Sequence, residues 1–464
     1  MVDPVSKISR VRLPEFGRAE ECPVLPVALY AERLAKARAR LAAAGLDVLV
    51  VYGDREHFAN LAWLTGFDPR FEEALLLLDR DGASRLLVGN ECMGYLSDAA
   101  LGLEVELFQE FSLLGQPRGD SRPLRTILSS FGIGRGTRVG CVGWKYFAGH
   151  SVAGGEQALD LPAYLVDLLR RICGLRKCVV NATALFMNPD DGLRIFNEPE
   201  QIAQFEYAAT VTSAAVLDLL RHLEPGVREQ DLERLLDSRG LPLSCHRMIS
   251  FGEKARRGLA SPSANGAALG DPYTTALGVI GSLTCRAGAV ARGPADLPAS
   301  LRDFYPRLVA NYFDVVRTWY EALRLGVTGG EVFAAVEAMR DPALYRFAVN
   351  PGHFIHLDEW VHSLFAAGNK AVLQSGMALQ MDIIPVSEGP FCCANAEDGI
   401  VLADAALRAR LARRYPEMWQ RVEARRRFMG EVLGVRLDAC VLPLGNAAAW
   451  FPPYALDLTQ AMTA

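Results

Sequence analysis

Three segments in the second half of the chain hold residue types that do chemistry when brought together. The first, Pro351-Gly-His-Phe-Ile-His-Leu-Asp-Glu-Trp-Val-His, packs His353, His356 and His362, three of the seven histidines, into ten positions. The second, Ser375-Gly-Met-Ala-Leu-Gln-Met-Asp-Ile-Ile-Pro, reads as a buried strand with one carboxylate, Asp382. The third, Ala394-Asn-Ala-Glu-Asp-Gly-Ile-Val-Leu, carries Glu397 and Asp398 into another apolar strand. An acid in an apolar strand is costly unless it is paired, ligated or solvated in a cleft. Imidazole with two carboxylates at strand ends can hold a metal or move protons. The plainer reading is that Asp382 and Glu397 satisfy backbone groups or pair with Arg286 or Arg292.

The elements that must position these residues read as two domains, residues 1–195 and 196–464. At 464 residues the chain exceeds one ordinary core. In the first domain a helix over 29–46 runs into Gly45. A buried strand over 47–52, a hairpin about Asp81-Gly82, a strand over 138–142 and a helix over 162–172 follow. Strands alternating with helices make this half α/β. A boundary falls near Phe196-Asn-Glu-Pro-Glu, where Asn197 and Glu200 have capping-box spacing ahead of a long amphipathic helix. The second domain then repeats itself. Leu223-Glu-Pro-Gly-Val and Leu323-Arg-Leu-Gly-Val lie 100 residues apart, each at a helix-to-helix joint. Such a match arises by coincidence or from a duplication that builds one sheet from two similar halves, with a cleft between them for a site. A charged helix over 407–433 and a proline-containing tail complete the chain.

Half the residues are hydrophobic and 22% are charged, a globular balance, and the net charge of −5 argues against a nucleic-acid partner. Neither a membrane span nor a signal peptide is legible, so a cytoplasmic location is expected. The ten cysteines form no C-x-x-C pair and are expected to be reduced and buried, Cys392 and Cys393 included.

The order Gly-His-x-Ile-x-Leu-Asp, Ser-Gly-Met-x-Leu, Glu-Asp-Gly-Ile-Val resembles the creatinase, prolidase, aminopeptidase P and methionine aminopeptidase family. Trp63-Leu-Thr-Gly-Phe-Asp and its hairpin are similar to the N-terminal domain of creatinase and aminopeptidase P. The likeness spans about residues 28–404. It implies an α/β N-terminal domain followed by an α+β, pseudo-symmetric pita-bread domain. In that family two Asp, one His and two Glu bind two metals. Carried over, the His is His353 and the last Glu is Glu397, whereas Asp382 stands in for the other Glu. The two Asp positions fall on Gly278 and Ala289, which cannot ligate. No histidine lies in or just after Gly258-Leu-Ala-Ser-Pro-Ser, where the catalytic one is expected. A second, substrate-binding histidine maps to Trp360, with His362 close by.

The resemblance therefore implies one divalent metal (Mn, Fe, Zn or Co) on His353, Asp382 and Glu397, or none, rather than a dinuclear site, which needs bridging carboxylates. Creatinase, whose family role is metal-free hydrolysis of a small N-substituted guanidine, suggests the corresponding expectation. A hydrolase would cleave a C–N bond in a small amino-acid derivative, with Asp382 and Glu397 orienting a cationic nitrogen. His353 or His356 would handle protons, with His246 a further candidate, and Arg286 or Arg292 would bind a substrate carboxylate. The alternatives are a metallopeptidase with a non-standard metal site and a non-catalytic ligand-binding member. Family dimers imply a homodimer in which Arg70, Phe71 and Glu72 close a neighbour's pocket.

Overall fold

The computed structural model describes residues 6–147, 152–258 and 260–464, and the chain divides into two compact units. The smaller, Leu25–Ile195, is an α/β unit. Its six-stranded sheet runs Glu104–Leu107, Ser84–Val88, Ala74–Asp79, Val48–Gly53, Val139–Val142, Val179–Asn181. Val48–Gly53 is buried at every position, as an apolar strand covered on both faces should be. It pairs antiparallel with Ala74–Asp79 and parallel with Val139–Val142. The hairpin turns at Asp81-Gly82, where the Asp79 carboxylate accepts the backbone N–H groups of Asp81, Gly82 and Ala83.

The larger unit, Met1–Val24 with Phe196–Ala464, corrects the expected boundary at its start. Lys7–Arg10 pairs antiparallel with Gln460–Thr463, so the first residues of the chain join the last rather than the α/β unit. The site is positioned by an antiparallel sheet whose strands, from one edge, are His353–Phe354, Ala378–Met381, Asn395–Leu402, Ser282–Ala289, Pro272–Val279 and Met248–Phe251. Strands from both halves of the unit thus form one surface.

The expected repeat is visible in the backbone. Pro199–Arg221 and Phe304–Ala322 are long helices, each followed by a short turn and a second helix, Glu229–Glu233 or Gly329–Met339. Gly226 (φ 95°) and Gly326 (φ 89°) make the two turns in a conformation that favours glycine. Each donates its N–H to a carbonyl further along the chain, Gly226 to Ala267 and Gly326 to Leu373. Thr328 and Glu331 form the expected capping box.

Two local expectations fail for clear reasons. Asn197 does not cap the first long helix: its amide donates to the Gly376 carbonyl, Pro199 opens the helix, and Glu200 pairs with Arg414. The charged helix over 407–433 is two helices, Ala405–Arg414 and Pro416–Glu431, because proline cannot continue the first. The proline-containing tail is structural. Val441–Pro443 adds a strand beside Asn395–Leu402, and residues 447–453 supply backbone groups to the core beneath it.

Candidate active site

Alternation along the central strands sorts the charged residues into two populations. Met381 lies opposite Asp398, so the next pair along this antiparallel register is Asp382 opposite Glu397. Glu397 is also opposite Cys285, Cys285 opposite Ala276, and Ala276 opposite Met248. One cross-sheet row, Asp382, Glu397, Cys285, Ala276, Met248, therefore faces a single cavity of about 730 Å3. The neighbouring row, Asn395, Ala287 and Thr274, faces the same space.

Arg286 and Asp398, one residue along, point to the opposite face. There the Arg286 guanidinium contacts both Asp398 oxygens, at 2.9 and 3.0 Å, and donates to the carbonyls of Trp450, Cys285, Glu397 and Ala447. Both side chains are fully buried. Burial pushes the Asp398 carboxyl up to about 6, with Arg286 and the Ala449 N–H pulling the other way. Arg286 is spent on this pair and is no substrate carboxylate ligand. Arg292 is exposed beside Asp296 and lies outside the cavity lining, so it does not fill that role either.

Over the cavity-facing row sits His353, at the end of the edge strand and fully buried. Its Nδ1 lies 3.1 Å from the Phe354 carbonyl, which can only accept. Nδ1 therefore carries a proton and Nε2 is the nitrogen turned toward the acids. Nε2 is 3.3 Å from Glu359, 3.9 Å from Asp382 and 3.9 Å from Glu397, and has no hydrogen-bond partner. Trp360 stacks on the imidazole, centroids 4.1 Å apart and planes 19° from parallel, and so fixes the ring plane. The structure thus brings together His353, Asp382, Glu397 and Trp360. It adds Glu359, whose only signal in the sequence was an acid in the histidine-rich run.

The electrostatics are those of a crowded acidic site. Burial raises the Asp382 carboxyl well above the ordinary range, as does the nearby Glu397, against the opposing pull of His353. Burial and Glu359 do the same to Glu397, with Gln380 hydrogen bonding against them. Like-charged acids this close do not ionise together without a compensating cation.

The other expected residues lie elsewhere. His356 is buried edge-on to Phe205, and its Nδ1 accepts the Leu357 N–H. His362 bridges to Phe354 through its backbone, with Nδ1 beside the Ser363 carbonyl. Neither lines the cavity; His246 does. Gly278 and Ala289, the positions carried over for the two missing ligands, do not line the cavity. A side chain at Gly278 would run into Cys245 and Ser244. The residues that face the acids from this hairpin are Thr274, Ala276, Cys285 and Ala287, none of them a carboxylate. Where the catalytic histidine is expected, at 258–263, Leu259 lies outside the described residues and the other positions carry no imidazole. Arg70, in the α/β unit, holds its guanidinium 3.2 Å from Asp68. Glu72 is buried there and accepts the N–H groups of Glu91 and Cys92.

The donor set fits one divalent ion. The ligating atoms of His353, Glu359 and Glu397 lie within 4.8 Å of one another, and Nε2 presents a lone pair to the acids. The neighbouring hairpin of the same sheet, neutral where it faces the cavity, offers no carboxylate to bridge a second ion. Cys245, Cys392 and Cys393 also line the cavity, their thiols pushed up to about 12 by burial. They are unreactive as nucleophiles near neutral pH.

Residues 33–145 match the Creatinase/Prolidase N-terminal domain. No curated protein sequence matches the chain. Among solved structures, dipeptidase PepE from Mycobacterium ulcerans is similar, at 20% identity and TM-score 0.60, over 83% of this chain and 95% of that one. The prolidase from Pyrococcus horikoshii OT3 is similar at 15% identity and TM-score 0.61, over 80% and 95% of the two chains. The X-Pro aminopeptidase from Thermotoga maritima MSB8 stands at 14% and 0.60, over 81% and 95%. The larger unit has the pita-bread fold of these proteins.

Proposed function

We propose that this chain, which carries the Creatinase/Prolidase N-terminal domain and the pita-bread fold of that family, hydrolyses a C–N bond in a small amino-acid derivative with at most one metal ion. The observation behind the reading is the convergence of His353, Glu359, Asp382 and Glu397 on one cavity, beside a hairpin that presents only neutral side chains to it. Such a polar cluster in a largely apolar recess is where chemistry is expected.

In this reading His353 and the carboxylates beside it hold the cation. A divalent ion there would polarise the scissile group and lower the pKa of a bound water. Asp382, hydrogen-bonded by Asn395, takes a proton from the attacking water. The water oxygen bonds to the electrophilic carbon, the C–N bond breaks, and its electron pair leaves with nitrogen. Nitrogen then takes the proton that Asp382 held, so the carboxylate is regenerated. Trp360 keeps the imidazole in plane with the site.

Substrate orientation falls to a basic residue elsewhere on the lining. Arg256, stacked 4.0 Å over Phe391, is the cation on the lining that a substrate carboxylate can reach. Its Nε donates to Glu253, which leaves the terminal nitrogens for a ligand. Met248, Leu283, Ile384 and Val386, also on the lining, suit an apolar segment. A compact zwitterion with an apolar side chain meets all three demands.

Glu397→Gln tests the assignment, because it keeps the shape and removes the charge. We expect turnover to fall at least about 1000-fold, on the scale of losing an electrostatic group at a reacting centre. Wild-type turnover in this variant refutes the role of Glu397.

A further inference from the structure

We propose that Glu359, on the segment after the histidine strand, is the third protein ligand of a mononuclear metal centre completed by His353 and Glu397. The use of that ion in catalysis rests on the hydrolase reading above; its binding does not.

Four observations meet at this residue. Glu359 comes closest of the three acids to Nε2, at 3.3 Å, and belongs with His353 and Glu397 to the one group of mutually close donors among the described residues. The imidazole is oriented for ligation, since its Nδ1–H is committed to the Phe354 carbonyl and fixes the tautomer. Its Nε2 is fully buried and lacks a hydrogen-bond partner. Finally, Trp360, next in sequence, covers the ring face, so one short segment both clamps the imidazole and delivers the acid.

The distances between donors select this set, and its charge suits one ion. Two carboxylates, Glu359 and Glu397, neutralise one dication, and Asp382 is left outside the mutual set with its Oδ1 unpartnered. Three protein ligands leave a coordination position for water or substrate. The hairpin facing the acids has Thr274, Ala276, Cys285 and Ala287 in place of oxygen-rich ligands, so the third donor must come from elsewhere. Glu359 reaches the site from the histidine's own side. One imidazole with two carboxylates suits Mn2+, Co2+ or Zn2+.

The test uses the full chain, stripped with chelator and titrated separately with Mn2+, Co2+ and Zn2+. Calorimetry and elemental analysis should give one equivalent, and saturating ion should raise the melting temperature. Glu359→Gln should weaken binding by about 100-fold or more, at least the loss seen on removing an outer-shell partner. Asp358→Asn, which changes the neighbouring acid, should bind as wild type. Circular dichroism of the stripped variants controls for folding, and Glu359→Asp provides a second variant if the glutamine form melts early.

Wild-type affinity in Glu359→Gln overturns the proposal. So does a wild-type protein that binds no ion, and so does binding of two equivalents. One bound ion without hydrolysis of any substrate sinks the hydrolase reading and leaves the metal centre standing.

Discussion

At the scale of single residues, the fate of a charge in this protein is decided by strand parity. Cys285 and Glu397 face the cavity, whereas Arg286 and Asp398, one position on, face the interior. Arg286 therefore belongs to stability. Removing one partner of a buried pair strands the other charge, so Asp398→Asn should destabilise the fold by about 3–5 kcal/mol. The measurement is the unfolding free energy in denaturant, and a change below about 1 kcal/mol would show that the pair is dispensable. The cavity thiols give a second prediction at this scale. With Cys392 and Cys393 held up at about 12, iodoacetamide at pH 7.5 should spare both in native protein and label both after denaturation. Peptide mapping distinguishes the outcomes.

At the scale of elements, two clamps hold the strands in place. Thr328 caps Gly329–Met339 at the second repeat's joint, and Thr328→Ala should cost about 1 kcal/mol in thermal or chemical unfolding. In the first half, Glu229 is buried at the start of its short helix. It takes hydrogen bonds from the Phe251 N–H, the Ser263 N–H and hydroxyl, the Asn265 amide and the Lys254 ammonium. This fastens the segment that carries Arg256 to the cavity wall. Burial works to raise the Glu229 carboxyl, but the Lys254, Asn265 and Ser263 contacts prevail and hold it below its usual range. A carboxyl lowered on folding stabilises the protein above its unfolded pKa, and this contribution is lost as pH falls through the folded value. Wild type should thus lose stability between about pH 5 and the folded pKa faster than Glu229→Gln, which lacks this group. Parallel acid limbs in the two proteins would refute the clamp.

At the scale of the whole molecule, the ends of the chain finish the larger unit. Lys7–Arg10 and Gln460–Thr463 form a two-stranded ribbon, and the tail before it accepts hydrogen bonds from Arg286 and Tyr305. Deleting residues 458–464 should lower the melting temperature by several degrees, since a few kcal/mol is a large share of a net stability near 10 kcal/mol. An unchanged melting curve would mean that the ribbon is ornamental. Described helices include none long and apolar enough to cross a membrane.

Sequence alone determined what repeats and periodicity encode. The α/β first unit, the paired helix joints at Gly226 and Gly326, the Thr328 capping box and the apolar strands bearing Asp382 and Glu397 were legible there, since each depends on neighbours within a few positions. Tertiary structure decided which face each charge presents and what stands across from it. A slip of one residue sends a strand's side chains to the opposite face, and register is set by partners far along the chain. That is why Arg286 looked available and why Glu359 went unnoticed. Its closeness to Glu397 spans 38 residues of sequence and exists only once the sheet has closed.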